Sequence, residues 1–164
     1  MGTTSLSEMS VSDLLIMHTG IADELRLRGF IRSTNNPVGD FAEYLFCAAF
    51  GWTQAPASET GFDATDEVTG LRYQIKGRRP HLLNASRQLS ALRRLDQSPF
   101  DVLAAVLFTL SYAVLRAALI PIDVVRKFAK YGGHSNSFKF ILRESVWNEA
   151  GVSDVKDQLA AALP

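Results

Sequence analysis

The segment from Phe100 to Phe108 is apolar at every position except Asp101. A strand with one wet face alternates apolar and polar residues. This one does not, so it is predicted to be the central strand of a sheet covered on both faces. A second apolar segment, Tyr112 to Ile120, follows after a short turn and is predicted to be its antiparallel neighbour. Ser111 and Arg116 interrupt these segments, and each is too short to span a bilayer. With 164 residues and 47% apolar composition, the chain suits one domain with a sizeable core. No basic segment followed by an apolar one marks a signal peptide near residue 1, so a soluble cytoplasmic protein is the expectation.

The rest of the chain supplies helices and strands to flank that pair. Ser10 or Ser12 caps a predicted helix running to about Arg28, with Leu14, Met17, Ile21 and Leu25 forming one apolar stripe. Asn36-Pro37 opens another, because asparagine caps well and proline suits the first helical position. It runs to Gly51. Phe62 to Thr65 and Leu71 to Gly77 read as a hairpin joined through Asp66 to Gly70. A helix is expected from Asn84 to Leu95, with Leu89 and Leu92 in the core. Pro121 starts a further helix, Phe138 to Leu142 is a short strand, and helical turns close the chain near 145–149 and 153–161. The predicted class is α/β, a mixed sheet flanked by helices. Residues 1–34 are a tail and a helix packed on the core, and 35–164 form the domain proper.

Polar residues fall on this frame in an ordered set. Glu43 lies one turn into the second helix, Asp63 lies on the first hairpin strand, and Gln74-Ile75-Lys76 lie on the next. Alternate residues of a strand share a face, so Gln74 and Lys76 point one way and Ile75 the other. A carboxylate beside an amide oxygen and an ammonium suits a divalent metal and a phosphate. Asp66 is three residues beyond Asp63 and faces the opposite side of a regular strand, which favours Asp63 as the functional acid. Each residue also has a plainer reading: Glu43 as a surface acid complementing a helix dipole, Asp63 as a turn aspartate. Cys47 is the only cysteine. No internal disulfide or cysteine-rich zinc site is then available, and Cys47 reads as a small buried hydrophobe.

The set resembles the PD-(D/E)XK nuclease superfamily, the restriction-endonuclease-like fold, over about residues 35 to 110. In that pattern an acid on one strand precedes an acid, any residue and a lysine on the next, often with a glutamate from the preceding helix. Asp63, Lys76 and Glu43 match; Gln74 stands where Asp or Glu is usual. The resemblance implies a Mg²⁺-dependent (or Mn²⁺-dependent) DNA endonuclease of restriction or repair type. Asp63 would be the central metal ligand and Glu43 a second. Gln74 would offer its amide oxygen and Ile75 its backbone carbonyl. Lys76 would orient the attacking water or stabilise developing charge. Two carboxylates imply weak metal binding. The alternative is a catalytically degenerate domain of the same fold that binds nucleic acid or a protein.

Net charge is zero, yet residues 71 to 95 carry seven Lys or Arg residues and no acid. Such a stretch binds phosphates locally. Arg78, Arg79 and Arg87 are candidate backbone contacts, and His134 and Asn136 are candidate groove contacts from a glycine-bearing loop. The expected partners are DNA and, for cutting both strands, a second copy of the chain, with no membrane.

Overall fold

In the computed structural model, residues 5–164 are described. The start of the expected N-terminal tail therefore lies outside the described residues; within them, Leu6–Glu8 make one 3-10 turn. Helices are α1 (Val11–Leu27), α2 (Pro37–Phe50), α3 (Ile122–Phe128) and α4 (Lys156–Ala161). Strands are β1 (Thr53–Gln54), β2 (Ala64–Thr65), β3 (Arg72–Arg78), β4 (Val102–Phe108), β5 (Val114–Pro121), β6 (Lys130–Gly132), β7 (Ser137–Lys139) and β8 (Ser153–Asp154). Six of these form one mixed sheet in the order β1-β2-β3-β4-β5-β8, and β6 pairs with β7 apart from it. All neighbours in the large sheet are antiparallel except β3 and β4, which are parallel. The chain is a mixed α/β protein. Among the described residues, no helix is long and apolar enough to cross a membrane.

The central strand is β4, as its unbroken apolar sequence predicts. Leu103 to Phe108 are all buried. Ala104, Val106 and Phe108 face a layer built from α2 and α4, with Ala42, Leu45, Phe46 and Leu159 fully buried. Leu103, Ala105 and Leu107 face the opposite layer with Phe100, Ile120, Val125 and Phe140. Burying a side chain of this size contributes about 1.5–3 kcal/mol, so both layers hold β4 in place.

α2 forms as its caps dictate. The Asn36 side chain accepts the Val38 N–H, Pro37 takes the first position, and Gly51 closes the helix at φ 68°. The helix crosses β3 closely at Gly77. A Cβ there would meet the Val38 carbonyl oxygen at 2.8 Å and the Ala42 Cβ at 2.9 Å. Glycine thus fixes how near α2 lies to β3.

Two expectations need correction. Residues 84–95 are not a helix. Leu89 and Leu92 are buried as expected, but through extended chain: Leu89 N–H donates to Phe140 O, and Leu92 and Phe138 exchange both backbone bonds. A leucine every third residue fits a helix face equally well. Here pairing with residues 138–142 satisfies the backbone, where a lone helix of that length is marginal. The second correction concerns α1. Its bounds and Ser10 cap agree with the sequence, but none of its residues is buried. Its apolar stripe is not covered by the core.

A Gly77→Val variant is expected to lose about 1–3 kcal/mol in urea unfolding, because neither α2 backbone nor Ala42 has room to give. Gly39→Ala, where an added Cβ meets nothing within 4 Å, serves as the control and is expected to lose little or nothing.

Candidate functional site

The site forms where β2 stops short. β2 pairs only with Arg72 and Tyr73 of β3. Beyond Tyr73 the β3 edge is open, and the Asp63 side chain fills the gap. Its Oδ2 accepts the Ile75 backbone N–H at 2.7 Å and a second hydrogen bond from Gln74 Nε2. Asp63 is itself anchored by its own N–H, which donates to Tyr73 O at 2.8 Å. A strand residue points its N–H and C=O at the same neighbour. The Ile75 carbonyl therefore faces this gap too, while its side chain is buried against α2.

Glu43 reaches the same opening from α2. Its Oε2 accepts from Arg32 Nη2 at 2.7 Å and from Gln54 Nε2 at 2.9 Å. Glu43 and Asp63 line one cavity of about 220 Å³, with Arg32, Asp40, Glu59 and Phe62 also on its wall. Burial pushes the Glu43 pKa up, and the Asp63 charge pushes it further; hydrogen bonds from Gln54 and Arg32 oppose this without cancelling it. The two carboxylates thus repel across a partly desolvated gap. One helical turn on, Cys47 feels the same surroundings: burial, then Glu43, lifts its thiol to about 11. It is protonated at neutral pH and unsuited to nucleophilic work.

Asp63, Gln74, Ile75 and Glu43 therefore meet in one place. Lys76 shares the Gln74 face, about 7 Å further along the strand at about 3.3 Å per residue. It takes part in no ion pair among the described residues. Asp66 instead holds its own turn, accepting from Val68 N–H and the Thr69 hydroxyl.

The proposed DNA contacts are less uniform. Arg78 Nε donates to Ser86 O at 3.1 Å. Arg79 donates to Leu110 O and lies over the Tyr112 ring at 4.8 Å. Arg87 is neutralised by Glu144 at 2.6 Å, and Arg116 pairs with the same carboxylate. His134 and Asn136 lie in the connection between β6 and β7, and neither lines the Glu43–Asp63 cavity. Asn136 accepts from the Tyr131 hydroxyl.

Three residues of the site carry no advance signal or only a partial one. Arg32 pairs with Glu43 and also donates to Ala55 O. Gln54 comes from a strand of two residues, too short for a periodic pattern. Asp40 accepts from the Arg32 and Ser33 N–H groups. Burial works against its charge, but those bonds outweigh it and hold its pKa low. The spacing of three between Asp40 and Glu43 does place both on one side of α2, which is the one available hint.

The donor set fits a hard divalent cation held loosely. Glu43 Oε1 and Asp63 Oδ1 accept no hydrogen bond from the described residues, so each carboxylate has a free oxygen. Among the described residues no three His, Cys, Asp or Glu side chains cluster. Any further ligands would be neutral oxygens such as the Ile75 carbonyl. In comparisons with known proteins, no family model and no curated protein matches this chain.

The raised Glu43 pKa fixes the sign of a pH effect. Folding favours its protonated form, so its contribution to stability is present below the ordinary glutamate range and lost as pH rises through the folded pKa. Glu43→Gln is expected to melt higher than wild type at neutral pH. The gap should close on acidification through the carboxylate range, as thermal melts at stepped pH will show.

Proposed function

We propose that this chain is a metal-dependent DNA endonuclease with a restriction-endonuclease-like core. The observation that carries the reading is the meeting of Asp63 with Gln74 and the Ile75 amide, with Glu43 facing the same gap. Support also comes from the topology: α2 precedes an antiparallel β1-β2-β3 meander, and β4 then joins β3 in parallel. The segment between β3 and β4 is extended where the resemblance expects a helix, which departs from that pattern.

In this reading Glu43 and Asp63 would hold Mg²⁺ or Mn²⁺, which when bound would supply charge neutralisation and a more acidic water. Asp63 positions its free oxygen because its other oxygen is pinned by the β3 backbone. Lys76, on the same face of β3 as Gln74 and in no ion pair among the described residues, would stabilise charge developing on the phosphoryl oxygens. Arg78 and Arg79, each held by a single backbone carbonyl, retain N–H groups to position the phosphate backbone. Arg87 has a weaker claim, since Glu144 already neutralises it.

A second reading has its own observation. Arg32 already compensates Glu43, and the Gln74 amide satisfies Asp63 where a third carboxylate would demand a metal. That arrangement suits a nucleic-acid-binding domain of the same fold that does not cut.

The deciding experiment is cleavage of supercoiled plasmid with Mg²⁺ or Mn²⁺. Lys76→Ala and Asp63→Asn are each expected to cut at least about 100-fold more slowly than wild type. Asparagine keeps an acceptor for the Ile75 N–H, so loss of cutting would not reflect loss of the strand edge. Gln74→Glu is expected to tighten Mn²⁺ binding in calorimetry, by about tenfold for the added charge. Retention of DNA by wild type without any cutting would select the binding-domain reading.

A further inference from the structure

Helix α1 is hard to explain within a single chain. It has 17 residues and buries none of them, whereas helices in proteins draw most of their stability from packing an amphipathic face. Ile16 is 70% exposed, Ile21 57% and Met17 41%. With Gly20, Leu25 and Phe30 they line a continuous groove of about 770 Å³. A run of apolar surface like this on a small protein marks a docking site. We propose that the occupant is a second copy of this chain, whose α1 lies antiparallel in the groove.

The pattern of side chains selects that occupant. Asp13, Ile16, Gly20, Glu24 and Arg28 all line the groove. Place a two-fold axis between Gly20 and Ile21. Ile16 then faces the partner's Leu25, Ile21 faces the partner's Gly20, and Asp13 faces the partner's Arg28. A parallel pair would instead set Asp13 against Asp13 and Arg28 against Arg28, which repel. The surface is therefore self-complementary in charge in one orientation only.

Gly20 fits this arrangement. An added Cβ there would meet nothing within 4 Å, so its own chain gives no reason for glycine. In mid-helix it costs about 1 kcal/mol relative to alanine. Against a partner helix it leaves a hollow for Ile21. Among the described residues Asp13 likewise makes no ion pair, its side chain bonding only Ser10, while Arg28 already holds Glu24 at 2.7 Å. The partner's Asp13 would complete that cluster on both sides of the axis.

A helix of this length extends about 26 Å. Pairing it with a copy removes on the order of 1,000 Å² from water, near the lower limit for specific association. The dimer is accordingly expected to be reversible, with a dissociation constant in the micromolar range. This inference does not rest on the nuclease reading, and its test measures mass, not cleavage.

Sedimentation equilibrium of the full chain over a micromolar concentration series is the measurement. Wild type should dimerise reversibly, and Ile21→Asp should raise the dissociation constant by at least about tenfold. Asp13→Arg and Arg28→Asp should each weaken the dimer, and the double variant should recover part of the loss. All these positions are exposed, so cooperative thermal melts of the dilute monomeric variants should show that the fold is intact. A wild type that stays monomeric throughout overturns the proposal. So does a dimer indifferent to Ile21→Asp, or a double variant no better than either single one.

Discussion

The hydrogen bond from the Ile75 N–H to Asp63 organises the centre of this protein. β2 is two residues long, so it leaves β3 with unpaired backbone in mid-sheet. An orphaned amide in such a place carries a penalty of about 1–3 kcal/mol. The Asp63 carboxylate does with a side chain what a longer β2 would have done with its carbonyls. Having ended the meander in this way, the chain has an acidic group at the sheet edge, oriented by the strand beside it. Gln74 is drawn to the same oxygen, and Glu43 arrives from the helix above.

Charge balance in that corner is local. Arg32 faces Glu43, and the neutral Gln74 donates to Asp63. Hydrogen bonds from Arg32 and Gln54 to Glu43, and from Gln74 and the Ile75 N–H to Asp63, offset part of the repulsion between the two carboxylates. One oxygen of each takes the hydrogen bonds, and the other accepts none from the described residues. The Arg32 link is partly exposed, with 42% of its side chain accessible. Solvent screens it, so it counts more for holding Glu43 in place than for stability.

The parts of the fold that were legible in the sequence are those whose signal is local. Asn36-Pro37 and Gly51 bracket α2, Ser10 opens α1, and the apolar length of β4 places it at the centre. The pair Gln74 and Lys76 follows from strand alternation, and Asp63 from its hairpin position. What was not legible depends on contacts distant in the chain. Leu89 and Leu92 sit three apart, a spacing common to a helix and to an extended segment that touches residues 138–142 intermittently. The stripe on α1 predicts a covered face but not what covers it. Arg32 and Gln54 enter the site from a loop and from a two-residue strand, where no periodicity exists to read.

The close crossing at Gly77 bears on how the corner is assembled. With the Val38 carbonyl and Ala42 pressed over a residue that has no side chain, α2 can neither slide inward nor rock on β3 without a clash. Glu43 is one residue from Ala42, so its backbone is fixed relative to the strand that orients Asp63. The separation of the two carboxylates is then set when the helix docks on the sheet, leaving only side-chain rotation to adjust it. The ordering entropy of the pair belongs to folding, and an ion or phosphate bound as proposed would meet a gap whose width is already decided.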